Sequence, residues 1–211
     1  MKPAYNELYL DDAMRNMGEA FDYAVNCCGM NADDFAALFV TTGYADLFSD
    51  GNPRVIAGIS GTEMAMELIT KSGLIIEFPD AQIEYEFSKE YWGGWILTFY
   101  QWSTGRPFKD IFETVPMSKI IGMYYPLHEA SEEKFVETLN EILTKNRRMV
   151  KLQRQRKNLG LSQSELARKS GINLRTLQQY ETKAKDINKA SISSVRALAS
   201  ALGCRIEDIL E

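Results

Sequence analysis

Apolar positions recur at three- and four-residue spacing through much of the chain, the period of helices that bury one face. "ELYLDDAMRNMGEAFDYAV" sets Leu8, Met14, Met17, Phe21 and Val25 on one stripe, which predicts an amphipathic helix. Gly29 stops it. "NADDFAALF" restarts with Asn31 as cap and acids in the first turn, where backbone amide donors need a partner. "GNPRVIAG" reads as a turn into a short helix with Pro53 near its first position. "SGTEMAMELITKSG" is a further helix, ended by Gly73. "LIIEFPDAQIEYEF" fits either an extended loop or a short hairpin broken at Pro79.

"SKEYWGGWILTFYQWSTGR" is apolar almost all round at helical period, which predicts a central buried helix. Its Gly93 and Gly94 would let a neighbouring backbone come close. Trp92, Trp95, Phe99, Tyr100 and Trp102 are expected to build a core, with Trp95 and Phe99 sharing Leu and Met neighbours from the amino-terminal helices. A partner groove is the alternative use of such residues. "PFKDIFETVPMSKIIGMYYPL" gives two short helices around Pro107 and Pro116. "SEEKFVETLNEILTKNRRMVKLQRQRKN" begins with Ser131 as cap and carries Phe135, Leu139 and Ile142. With few breakers, it predicts one bent helix running into the basic carboxy-terminal segment.

The stretch "SQSELARKSGINLRTLQQYE" reads as two short helices around a glycine. Ser162 and Glu165 form an S-x-x-E capping box. Leu166 and Ala167 face inward, and Gly171 stands where the chain must turn, a position that favours positive φ. Asn173 caps the second helix, whose Leu177 and Tyr180 point to the core. Leu174, Arg175, Gln178 and Gln179 are left facing outward. Later, Val195, Leu198, Ala199 and Leu202 form an amphipathic helix, closed by Ile206, Ile209 and Leu210.

Charge divides the chain. Its formal net charge is −5, yet from Lys145 to Glu211 there are 15 Lys and Arg against 6 Asp and Glu, a net of +9. The first 144 residues hold 9 bases against 23 acids, a net of −14. Such asymmetry predicts two domains, 1–144 and 145–211, with different partners. The basic part suits a polyanion. An acidic domain is repelled by DNA and would attract a basic protein.

From about Lys151 to Leu210 the chain resembles the helix-turn-helix domain of the phage Cro and lambdoid-repressor class, also called the XRE class. That resemblance implies a five-helix, lambda-repressor-like fold for 145–211 that binds double-stranded DNA, usually as a homodimer. It places the first recognition-helix positions on Leu174 and Arg175 and a further base-reading position on Gln179. Gln163 falls where the class touches a backbone phosphate. Ser162, Thr176 and Gln178 complete the expected DNA-facing set. Arg156 and Glu181 fall where the class often pairs an Arg of its first helix with a Glu ending the recognition helix. Arg and Gln can each make two hydrogen bonds to a base edge. Leu174 departs from the polar residue common there: it could meet a thymine methyl, or pack and read nothing. The loop "TKAKDINKA" is longer than in compact phage repressors, and its Lys183, Lys185 and Lys189 could hold phosphates.

Other chemistry finds little support in the sequence. The longest apolar run, "YWGGWILTFY", is about half a bilayer span. The start, "MKPAYNELYLDDAM", has acids where a secretory signal carries its apolar core. Cys27, Cys28 and Cys204 make neither a disulfide framework nor a CxxC metal pattern, so reduced thiols and a cytoplasmic setting are expected. Cys27 and Cys28 read as small buried residues on a helix. "GISGTEM" lacks the Lys and spacing of a phosphate-binding loop, and His128 has no second base beside it. The sequence therefore predicts an all-α, non-enzymatic transcriptional regulator, a repressor in type, with no cofactor or metal. The amino-terminal domain would serve dimerisation, sensing or partner binding. An antitoxin-like protein, with the acidic domain neutralising a protein partner and the basic one repressing the operon, is the alternative.

Overall fold

In the computed structural model, residues 3–74, 77–81, 87–147 and 149–211 are described. Among them the fold is all-α, with helices and turns and no strand. The chain clusters into two compact units, Met1–Asn140 and Glu141–Glu211, and the boundary falls inside one helix. No described helix is long and apolar enough to cross a membrane.

In the first unit a 3-10 turn (Glu7–Tyr9) leads into α1 (Leu10–Asp22), which continues as a π-helical turn over Tyr23–Cys27. α2 (Ala32–Thr41) and α3 (Tyr44–Ser49) follow, then a π-helical turn (Arg54–Gly58) behind Pro53, then α4 (Gly61–Lys71). The chain goes on through α5 (Lys89–Thr104), α6 (Phe108–Phe112), α7 (Met117–Ile121), α8 (Tyr124–Leu127) and α9 (Glu132–Arg147). The caps are those the residues can supply: Asn31 accepts from the Asp33 amide, Ser88 from the Tyr91 amide, and Ser60 with Glu63 closes a capping box.

α1 is the hub, packed against α4 and α5. Met14, Met17 and Phe21 are buried as the pattern expects, but Leu8 is 85% exposed. Leu8 lies in the 3-10 turn before the helix, so the stripe begins at Leu10 instead. Val25 is only half-buried, because the π-turn adds a residue and rotates Tyr23 and Ala24 to the inner side. Cys27 and Cys28, expected inside, are half-buried at the end of the same turn, and burial pushes the Cys28 thiol up. Asn16 is buried on α1 and satisfied: its amide donates to the carbonyls of Ile56 and Ile59, tying the second π-turn down.

α5 is central but not surrounded. Trp92, Ile96, Leu97 and Tyr100 are buried, whereas Trp95, Phe99 and Trp102 are half-buried. The Trp102 indole donates to the Tyr5 carbonyl at 2.9 Å. Apolar residues all round a helix thus overstated its burial along one strip: Gly94 backs onto α1, Trp92 and Tyr100 pack on Phe135, and Trp95, Phe99 and Trp102 share the strip left half-buried. A second cluster of Phe39, Phe48 and Phe108, in edge-on contact at 5.2–6.0 Å between centroids, joins α2, α3 and α6.

Leu74 and residues 77–81 carry no regular structure, and Tyr23 donates to the Pro79 carbonyl at 2.6 Å. The rest of the expected loop or hairpin, 75–76 and 82–86, lies outside the described residues. On α9, Phe135 and Leu139 are buried, and Leu143 rather than Ile142 continues that stripe. The expected single bent helix is two helices: Val150 is extended (ψ 149°) and starts a new one.

The second unit contains α10 (Lys151–Asn158), α11 (Gln163–Ser170), α12 (Leu174–Glu181) and α13 (Ile192–Leu202). Two 3-10 turns, Ile187–Lys189 and Ile206–Asp208, complete it, the latter serving as the short fifth helix. Leu152, Leu166, Leu177, Tyr180, Leu198, Leu202 and Ile209 form one core between these helices.

Candidate nucleic-acid interface

The two helices of interest are fixed at both ends by local chemistry. Ser162 Oγ accepts from the Glu165 amide at 3.1 Å, and the Glu165 carboxylate accepts from the Ser162 amide at 2.8 Å. That backbone amide, with the Ser162 hydroxyl, holds the Glu165 carboxyl below its usual range. α11 ends at Gly171, whose φ of 69° is the left-handed conformation a side chain would penalise. Two residues later Asn173 Oδ1 accepts from the Arg175 amide at 2.9 Å and starts α12.

α12 divides cleanly. Leu177, Tyr180 and Glu181 are buried, Leu174, Arg175 and Gln178 are exposed, and Thr176 and Gln179 are half-buried. The Arg175 side chain has no hydrogen bond or ion pair among the described residues. Leu174 is 37% exposed on the first turn. It stands outside the core cluster of this unit, at the edge of the outward face.

Behind this face sits a buried ionic network. Arg156 Nε donates to Glu181 Oε1 at 2.6 Å and Nη2 to Oε2 at 2.9 Å, a two-point pair. Both side chains are nearly inaccessible, at 7% and 1%. Arg156 Nη1 also donates to the Leu161 carbonyl at 2.6 Å, satisfying the loop ahead of α11. Gln163 Nε2 donates to Glu181 Oε2 at 2.8 Å, and Gln178 Nε2 to Gln163 Oε1 at 3.4 Å. One carboxylate thus ties α10, α11 and α12 together. The Gln163 link was not legible in sequence, since it depends on two helices meeting.

Beyond α12, Lys183 has φ 61°, the one positive φ outside glycine among the described residues. Its ammonium is 3.8 Å from Glu211 Oε2, and Glu211 Oε1 accepts from the Lys151 amide at 2.7 Å. Lys185 lies 5.6 Å from the Tyr180 ring centroid, and Lys189 pairs with Asp186 at 3.9 Å, largely exposed. A cavity of about 230 Å³ opens among Tyr180, Lys183, Lys185 and Glu211. Lys183, Lys185 and Lys189 are all exposed, so the structure brings three cations to one loop after α12. His128 lies in the other unit, stacked on Tyr124 at 4.3 Å, with Nδ1 against the Tyr124 carbonyl.

Residues 152–209 match the family model described as Helix-turn-helix, of the Cro and C1-type XRE class. The carboxy-terminal third is thus a helix-turn-helix module of the kind found in DNA-binding regulators. No curated protein and no solved structure matches the chain.

Proposed function

We propose that this chain is a sequence-specific, DNA-binding transcriptional repressor that reads a half-site with α12 and binds as a homodimer. The observation that carries this is the exposed row of Leu174, Arg175 and Gln178 on a helix whose back is locked by the Arg156–Glu181 pair. A reading helix must be rigid, since about 1 Å of play would disorder its base contacts. Arg175 and Gln179 are the base readers. Gln163 has one amide hydrogen committed to Glu181 and one left to meet a phosphate. Ser162, Thr176 and Gln178 flank the contact, and Lys183 and Lys185 hold the backbone beyond it. The net +9 of residues 145–211 supplies the field for a polyanion. One eight-residue helix reads few base pairs, so a dimer on two half-sites is the arrangement that reaches useful specificity.

The acidic domain, 1–144, keeps itself off the duplex by its net −14 and serves dimerisation, sensing or partner binding. The same charge supports the antitoxin-like alternative, in which a basic protein partner binds there. Co-purification of a small basic protein encoded beside this chain would favour that alternative.

Selection of duplexes from a random pool by the full-length protein, followed by titration, tests the main reading. If four to six phosphates are neutralised, log K should fall with log salt at a slope of roughly −4 to −5. Arg175→Ala should cost about 1–3 kcal/mol on the selected site and little on random DNA. Lys183→Gln should weaken both equally and lower the slope by about one. Equal losses on selected and random DNA for Arg175→Ala would remove Arg175 from the readers.

A further inference from the structure

We propose that Leu174 reads the C5-methyl group of a pyrimidine in the major groove, which makes it a specificity-determining residue. The inference rests on the DNA-binding function proposed above. Leu174 opens α12, is 37% exposed, and stands beside Arg175, whose side chain is unpaired among the described residues. Its inward neighbours on the helix, Leu177 and Tyr180, belong to the core of this unit, and Leu174 does not.

Isolated exposed apolar residues are ordinary on protein surfaces, and Ile192 (77%) and Leu159 (53%) are more exposed than Leu174. Those two lie on other elements, one opening α13 and the other following α10. Leu174 alone of the three shares a helix face with Arg175 and Gln178, and that face is otherwise polar. In the major groove the edges of guanine, adenine and cytosine present donors and acceptors. A leucine laid on them strips water without replacing its hydrogen bonds, which is unfavourable. The one apolar feature in the groove is the C5-methyl, carried by thymine and by 5-methylcytosine. Leu174 therefore discriminates in both directions: it gains contact with a methyl and penalises a bare polar edge.

The experiment uses the full-length protein and the duplex it selects from a random pool. Each thymine of a half-site is replaced in turn by deoxyuridine, which removes the methyl and nothing else. In a second arm each cytosine is replaced by 5-methylcytosine. Affinities are measured for the wild type, Leu174→Ala and Ile192→Ala. One thymine is expected at which deoxyuridine weakens the wild type about three- to fivefold, the scale of one buried methyl group. Leu174→Ala should be indifferent to that replacement, and Ile192→Ala should behave as wild type. A cytosine at which methylation strengthens the wild type but not Leu174→Ala supports the proposal through the other source of the methyl. Leu174→Ala should melt with the wild type, which separates reading from folding. If all three proteins respond alike at every position in both arms, the proposal is overturned while DNA binding stands. If no duplex is enriched at all, the DNA-binding function falls and this inference with it.

Discussion

Arg156→Ala is expected to unfold residues 141–211 and abolish DNA binding, although Arg156 touches no DNA in the proposed interface. The change leaves the Glu181 carboxylate 1% exposed with one remaining side-chain donor, Gln163, and frees the Leu161 carbonyl. Removing one partner of a buried pair costs about 3–5 kcal/mol, because the survivor stays charged without compensation. A unit of about 70 residues rarely holds more than about 3–5 kcal/mol in all. The loss therefore matches the whole stability of the module. Arg156→Lys should fall between, since an ammonium cannot reproduce the two-point fork plus the third bond to Leu161. Replacing both, as Arg156→Met with Glu181→Leu, should recover most of the stability, because the desolvation cost leaves with the charges. All three tryptophans lie in α5, so their fluorescence follows the first unit alone. Urea titration should then show the tryptophan transition in place while DNA binding is lost. An Arg156→Ala protein that binds DNA as the wild type does would show the pair to be dispensable.

That pair also shows what the sequence could disclose. Arg156 and Glu181 are 25 residues apart, and only the resemblance to a known domain class put them together in advance. The caps at Ser162, Asn173 and Asn31 were legible because a cap and its partner lie within three residues of each other. Gly171 was legible for the same reason, as turn chemistry is local. The outward face of α12 followed from helical period, since Leu177 and Tyr180 fix which side is in.

What failed depended on tertiary choices. Leu8 fits the stripe of α1, but the chain enters that helix two residues later through a 3-10 turn. Val25 fits too, until the π-turn shifts the register. In α5 nearly every position is apolar, so period cannot say which arc is covered. Trp92, Trp95 and Phe99 were all expected in the core; Trp92 is buried against Tyr124 and Phe135, whereas Trp95 and Phe99 lie on the strip of α5 that stays half-buried. The break between α9 and α10 has no Gly or Pro to announce it; Val150 simply takes an extended conformation. The Lys183–Glu211 and Gln163–Glu181 contacts join residues too distant for any spacing rule.

The two adjacent glycines of α5 give the sharpest test of that packing, because one substitution should be tolerated far better than the other. Gly→Ala in a helix interior is worth about 1 kcal/mol of helix propensity at either position. A Cβ on Gly93 would meet Ile121 Cγ1 at 2.8 Å and the Met117 methyl at 3.0 Å, both side-chain atoms, the methionine's at the end of a flexible chain. The methionine can turn aside and the stiffer isoleucine must shift as a whole, so Gly93→Ala should cost about 1 kcal/mol, clearly less than Gly94→Ala. A Cβ on Gly94 would press on the Met17 carbonyl, with the Met17 carbonyl carbon at 2.8 Å and the Gly18 nitrogen at 3.1 Å. These are backbone atoms of α1, held on both sides by its helical hydrogen bonds, and they cannot turn aside. Relief requires α1 and α5 to separate, which loosens the contacts of buried Met17 and Leu97. Gly94→Ala should therefore cost about 3 kcal/mol, the upper end of ordinary overpacking, despite its better helix propensity. Urea titrations followed by tryptophan fluorescence read the difference directly, since the reporters sit on the helix that must move. The DNA-binding unit serves as the internal control: its affinity per folded molecule should be unchanged in either variant. Equal midpoints for Gly93→Ala and Gly94→Ala would show that the α1–α5 crossing is not a backbone contact, and the hub assigned to α1 would have to be abandoned.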